Sequence, residues 1–87
     1  MRPMNLYDCK IGDVVLTGDS YGMSCCVCIE ERTYKEDYGF DMVVFLDLTT
    51  GNSHESGGTG QFPLDYCYLC DRISKEQVER VKQVWGV

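Results

Sequence analysis

Two pairs of cysteines have the spacing of a metal site. Cys25-x-x-Cys28 and Cys67-x-x-Cys70 share the same interval, and four thiolates are a common ligand set for tetrahedral zinc. Neither pair has a glycine in or directly beside it that would favour the tight turn such a site needs. In an extended strand, residues i and i+3 point to opposite faces. The sequence therefore favours buried free thiols, with a structural zinc module as the alternative and no other cofactor expected.

A second candidate site is built on titratable residues near a polar segment. Residues 49–61 contain no apolar side chain and four glycines, so we predict a long flexible loop of unassigned role. Asp47, His54 and Asp65 lie in or beside it, and two carboxylates with an imidazole could serve a small hydrolase or nuclease. Aspartates at strand ends more often cap turns, and a single histidine in such a loop is more often solvated. The preferred interpretation is therefore non-catalytic.

The third candidate is an acidic and aromatic surface. Tyrosine gives contact area at low entropic cost and is enriched at protein interfaces. Several tyrosines alternate with carboxylates in predicted loops and at strand ends. The alternative is that these rings only seal the ends of a small sheet. The candidate binding residues are Tyr21, Glu30, Glu31, Tyr34, Glu36, Asp37, Tyr38 and Asp41.

Alternating and β-branched side chains predict the strands that would position these groups. The predicted strands cover residues 14–17, 23–32, 40–48 and 66–71. The third strand is apolar on both faces, which is typical of a central strand. If Val43 and Phe45 form an exposed strip on its second face, they favour self-association into a homodimer.

A helix is predicted over about residues 75–85. Ser74 followed by Gln77 is a capping box, and Ile73 can contact Val78 across the cap. Val78, Val81 and Trp85 form an apolar stripe, with Val84 beside it. This stripe predicts that the helix closes over one face or end of the sheet.

The charge is concentrated in the part of the chain that precedes the helix. Residues 1–71 carry four basic and twelve acidic side chains, a net charge of −8, whereas residues 72–87 carry +2. Such an acidic body disfavours nucleic acids and membrane surfaces as partners and suits a basic protein surface. No apolar segment has the length of a signal peptide or a membrane span, so we expect a cytoplasmic protein with reduced thiols.

The segment Lys10-Ile11-Gly12-Asp13-Val14-Val15 resembles the opening strand of SH3-like barrels, including the KOW, Tudor and MazF/PemK toxin groups. The resemblance covers about residues 9–73. Together with the predicted elements, it indicates a mainly β fold: a small antiparallel SH3-like barrel or bent sheet of four or five strands, followed by one C-terminal α-helix. The length of the chain indicates a single domain over residues 1–87. The ribonuclease activity of the toxins is not expected, because residues 18–22 lack the basic side chain that handles RNA phosphate in that group.

These observations predict a non-enzymatic, acidic protein-binding module. In style it is similar to small phage or mobile-element inhibitors that occupy a basic, nucleic-acid-binding surface of a host protein. The zinc module and the hydrolase or nuclease stay open as alternatives.

Overall fold

Six strands and one helix make up the part of the chain that the computed structural model describes, which is residues 2–3, 9–19, 22–33, 41–57 and 66–87. The strands are β1 (Arg2–Pro3), β2 (Asp13–Asp19), β3 (Gly22–Thr33), β4 (Asp41–Asp47), β5 (Ser53–Gly57) and β6 (Tyr66–Arg72), and the helix is α1 (Lys75–Trp85). All strand pairs are antiparallel, in the order β1-β6-β2-β3-β4-β5. The predicted mainly β class with one C-terminal helix is confirmed. The SH3-like resemblance stays a prediction.

Two of the six strands were not expected. β5 lies within residues 49–61, so the prediction of a loop throughout that segment is wrong. The strand forms because Asp47 and Gly51 build a turn, with Gly51 at φ +76° and its N–H donating to the Asp47 carbonyl oxygen at 2.9 Å. β5 then pairs along β4. β1 pairs with β6, so the sheet begins before residue 9, and its Pro3 suits an edge position.

Side chains from the two faces of the sheet form two separate apolar clusters. We call the first the thiol face; its buried members are Cys9, Val15, Cys26, Cys28, Val43, Phe45 and Leu69, with Cys67 packed against them. We call the second the helix face; its buried members are Val27, Ile29, Val44, Leu46 and, from α1, Val78. The sheet is therefore apolar on both sides, as the sequence of the predicted strand over residues 40–48, which is β4, indicates.

Burial of the second face of β4 corrects one expectation. Phe45 is 1% exposed and Val43 is 8% exposed, so they do not form the exposed strip on which self-association was predicted. They pack against Val15 and Leu69 within the thiol face. The argument for a homodimer through these two residues is therefore wrong, since a partner copy could not reach them.

The helix begins where the capping pattern predicts. The Ser74 side chain accepts from the Gln77 N–H at 3.1 Å, and the Gln77 side chain accepts from the Ser74 N–H at 2.8 Å. Val78 is buried against the helix face and Ile73 packs beside it, as expected for a hydrophobic staple. None of the helices among the described residues has the length and hydropathy to cross a membrane.

Gly12 fixes where this helix starts relative to the sheet. It has φ +97°, and a side chain there would collide with the Ile73 carbonyl oxygen. The Gly12 carbonyl oxygen accepts a hydrogen bond from the Ile73 N–H at 2.8 Å. The Gly12 N–H donates to the backbone carbonyl oxygen of Cys28 at 2.9 Å. The start of β2 therefore joins β3 to the residue that precedes the helix cap.

Two valines on the same helix give a matched test of this packing. Val78 is 1% exposed and Val84 is 81% exposed. We expect V78A to lower the free energy of unfolding by about 2 kcal/mol, whereas V84A should change it by less than about 0.5 kcal/mol. Urea unfolding followed by circular dichroism measures both, and equal losses would contradict the placement of α1.

Candidate functional site

Extended strands separate the cysteines of each C-x-x-C pair. Cys28 lies in the thiol face, whereas Cys25 is on the opposite side of β3 with Val27. Cys67 packs against the thiol face, whereas Cys70 is exposed. The expectation that residues three apart in these strands point away from each other is confirmed. Residues 2–3, 9–19, 22–33, 41–57 and 66–87 contain no group of three or more His, Cys, Asp or Glu that could hold a metal ion.

A different set of four cysteines shares one face of the sheet. Cys9, Cys26 and Cys28 are buried in the thiol face, and half-buried Cys67 packs against them. Burial is the main cause that raises the pKa of Cys9, and the neighbouring Cys67 thiol adds to it. Cys9 belongs to no short motif, so sequence reasoning missed it; only the pairing of β6 with β2 brings these residues together.

The two remaining thiols of the cluster have their own polar neighbours. The Cys26 sulfur lies 3.9 Å from the Thr17 hydroxyl. The Cys28 thiol donates to the carbonyl oxygen of Glu30 at 3.8 Å. Each of these weak hydrogen bonds satisfies a sulfur that the sheet has removed from water.

Burial makes these thiols poor nucleophiles. Loss of solvent raises the pKa of Cys26 and of Cys28 to about 11, from an ordinary value of 9.0. Burial also raises the pKa of Cys9 and of Cys67. The thiolate is the reactive form of cysteine, so at neutral pH this cluster is protonated and packs as a set of small apolar side chains.

Of the proposed acid–base set, the structure describes the side chain of Asp47 and the backbone position of His54. Asp47 caps the turn before β5, where its side chain accepts from the backbone N–H groups of Thr49 at 2.7 Å and Thr50 at 3.4 Å. The Thr49 hydrogen bond is the main reason that the pKa of Asp47 is lowered. His54 lies in β5, paired with Phe45, and not in a loop as predicted. Asp65 lies outside the described residues.

Part of the predicted acidic surface is a cluster at one end of the sheet. Glu30, Val44 and Glu55 occupy one row across β3, β4 and β5. The Arg32 guanidinium bridges the two glutamates, through its Nε to Glu30 at 3.2 Å and through its Nη1 to Glu55. This contact with Arg32 lowers the pKa of Glu30.

Two further candidate positions lie at the same end of the sheet, at residues that alternate in register with Glu30 and Arg32. Glu31 is exposed and is paired with Val43 in the β3–β4 register. Asp41 begins β4 opposite Thr33, so its backbone lies at the same end of the sheet. We call Glu30, Glu31, Asp41 and Glu55 the acidic end. The candidate residues that lie outside the described part of the chain are Tyr21, Tyr34, Glu36, Asp37 and Tyr38.

Comparison of the chain with protein-family models, curated proteins and solved structures gives no match.

Raised thiol pKa values predict a loss of stability at alkaline pH. Unfolded thiols ionise near pH 9, whereas Cys26 and Cys28 ionise near 11 in the folded chain. Between these values the unfolded state binds fewer protons, so the free energy of unfolding falls as pH rises. Each thiol contributes about 1.4 kcal/mol per pH unit to this slope, and its stabilisation is complete below pH 9.

Removal of one thiol tests this origin of the slope. We expect C26A to reduce the fall between pH 9 and 11 by about 1.4 kcal/mol per pH unit, measured by urea unfolding at several pH values. The control is V15A, which removes apolar volume at an equally buried position of the same face. It should lower stability at every pH without changing the slope. A C26A slope equal to that of the unsubstituted chain would contradict the assignment.

Proposed function

We propose that the chain is a non-enzymatic protein-binding module whose acidic end contacts a partner with a basic surface. The observation that carries this proposal is the row in which Glu30 on β3 and Glu55 on β5 flank Val44 and share the Arg32 guanidinium. Glu30 and Glu55 share Arg32, so these three side chains retain a net negative charge. Exposed Glu31 adds a further negative charge at the same end, and Asp41 begins β4 there.

The backbone of the acidic end is held by strand pairing. β3 pairs with β4 over Cys26–Thr33, and β4 pairs with β5 over Met42–Leu46. Charges placed on paired strands lose less conformational freedom on binding than charges on a mobile tail. Complementary charge of this kind accelerates association and selects against acidic partners.

The helix has a different electrostatic character. Its ion pairs join Glu76 to Arg80 at 3.0 Å and Glu79 to Lys82 at 3.5 Å. Each pair is local and exposed, so α1 presents nearly balanced charge to the solvent. The strong negative field therefore belongs to the sheet, and the helix serves mainly to cover the helix face.

Within this proposal, the partner is a protein that ordinarily binds nucleic acid. A surface that neutralises phosphates carries clustered Lys and Arg, and an acidic protein can occupy it by the same electrostatics. Small inhibitors encoded by phages and mobile elements act in this style. Burial raises the pKa of five thiols, which favours a binding role over thiol catalysis at these positions; they are Cys9, Cys25, Cys26, Cys28 and Cys67.

The salt dependence of partner binding tests the proposal. The immobilised full chain is used to capture proteins from a bacterial lysate, and the captured partner is then purified for titration. We expect its affinity to fall about tenfold or more between roughly 50 mM and 300 mM salt, and we expect duplex DNA to compete with its binding. A partner that is indifferent to both salt and DNA would contradict the proposal.

Two double variants of equal charge separate the acidic end from net charge. E31Q/D41N neutralises two positions at the acidic end, and E76Q/E79Q neutralises two positions on the helix. We expect the first to weaken binding of the purified partner about fivefold to tenfold and the second to change it less than twofold. Equal weakening by both would show that overall charge, and not this surface, determines binding.

A further inference from the structure

The two edges of the sheet differ in how well they are protected against further strand pairing. β1, at one edge, has two residues and contains Pro3, which has no N–H group to donate. β5, at the other edge, has five residues, contains neither proline nor lysine, and pairs with β4 without a register shift. Short strands, prolines, lysines and bulges are the usual devices that stop an edge from accepting another strand. Among the described strands, β5 is therefore the open edge.

The register of β5 shows which of its backbone groups point away from the sheet. The Asp47 N–H donates to the carbonyl oxygen of Asn52 at 2.9 Å, directly before β5 and in the same register. Opposed residues of antiparallel strands alternate between hydrogen-bonded and non-hydrogen-bonded pairs, so the even-numbered residues of β5 direct their N–H and carbonyl groups toward β4. The residues whose backbone groups point away from β4, where no described strand lies, are Ser53, Glu55 and Gly57.

The open edge adjoins the acidic end. Glu55 lies in one row with Glu30, and both carboxylates contact the Arg32 guanidinium. Two carboxylates and one guanidinium leave one net negative charge in this group. A basic side chain on a further strand, opposite Glu55, would continue the alternation of charge across the row, and opposite charges in that position stabilise strand pairing.

We propose that β5 accepts an extended basic segment of the partner as an additional strand, with a Lys or Arg side chain opposite Glu55. This inference rests on the proposed function, since it names the part of the basic partner that binds. In this mode of recognition, backbone hydrogen bonds provide affinity and the side chains of alternate residues provide specificity.

A second copy of this chain fits the same edge less well. Antiparallel pairing of β5 with itself over all five residues places the two Glu55 side chains directly opposite each other. Like charges in that arrangement destabilise the pair. A basic segment brings the opposite charge to the same position, so it is the favoured occupant.

A synthetic peptide tests the edge on the full chain. The probe has about seven residues that alternate lysine with valine, which is long enough to pair along β5. The matched control peptide has the same sequence with methyl groups on the backbone nitrogens of alternate residues that would donate to β5, so it keeps its charge and loses those hydrogen bonds.

Amide hydrogen exchange, followed by NMR, locates the bound peptide. With the free probe at about ten times its Kd, we expect exchange to slow about tenfold at the three outward-pointing amides. These are the amides of Ser53, Glu55 and Gly57. The control peptide should leave their exchange unchanged.

Substitutions of Ser53 and Glu55 separate backbone pairing from side-chain effects. S53P removes one outward N–H at the first residue of the strand, where proline is tolerated, whereas S53A keeps that N–H. By isothermal titration calorimetry we expect S53P to weaken probe binding about fivefold or more and S53A to change it less than twofold. E55Q keeps the backbone and should weaken binding about threefold. The captured partner should respond to S53P and S53A in the same way.

The outcomes distinguish this inference from the proposed function. Equal binding of the two peptides, or equal binding by S53P and S53A, would overturn the strand pairing at β5. Partner binding that stayed sensitive to E31Q/D41N in that case would leave the acidic end as the contact surface. Slow exchange of the three outward amides before the probe is added would also overturn the inference, and a dimeric mass by light scattering would then identify a second copy as the occupant.

Discussion

Alternation of side chains along β3 and β4 is the constraint on which the rest of this structure depends. Successive residues of these strands enter different apolar clusters, so Val27 packs with the helix while Cys26 and Cys28 pack in the thiol face. Each strand thus supplies two cores at once. A slip of one residue in the register would exchange the two sets of side chains. The same alternation determines which cysteines can meet, because it divides each C-x-x-C pair between the two sides of the sheet.

The elements with a local signal were predictable from the sequence. The strand around Val44 alternates without interruption, and the capping box at Ser74 satisfies the free N–H groups of the helix start. β5 has no such signal, since Ser53–Gly57 contains neither a β-branched nor an aliphatic residue. It forms because the Asp47 turn returns the chain along β4, and an edge strand is stabilised mainly by one row of backbone hydrogen bonds.

Only those features of the candidate site that follow from the geometry of a single strand were predictable from the sequence. The separation of Cys25 from Cys28 follows from the geometry of an extended chain. The placement of Cys9 and Cys67 in the thiol face, in contrast, requires a non-local arrangement that no spacing rule reveals. The acidic end is likewise predictable only in part. Glu30 and Glu31 can be identified from the sequence of one strand, whereas the ion pair between Arg32 and Glu55 forms only when β5 pairs with β4.

The turn between β4 and β5 also has a consequence for spectroscopy. Gly51 has no side chain, and a Cβ at that position would lie 2.8 Å from Cε3 of Trp85, so the indole rests directly on the turn. Trp85 is the only tryptophan in the chain and is 40% exposed. Its fluorescence therefore reports locally on the contact between the end of the helix and this turn. The chain thus contains an intrinsic optical probe for partial opening, without an added dye.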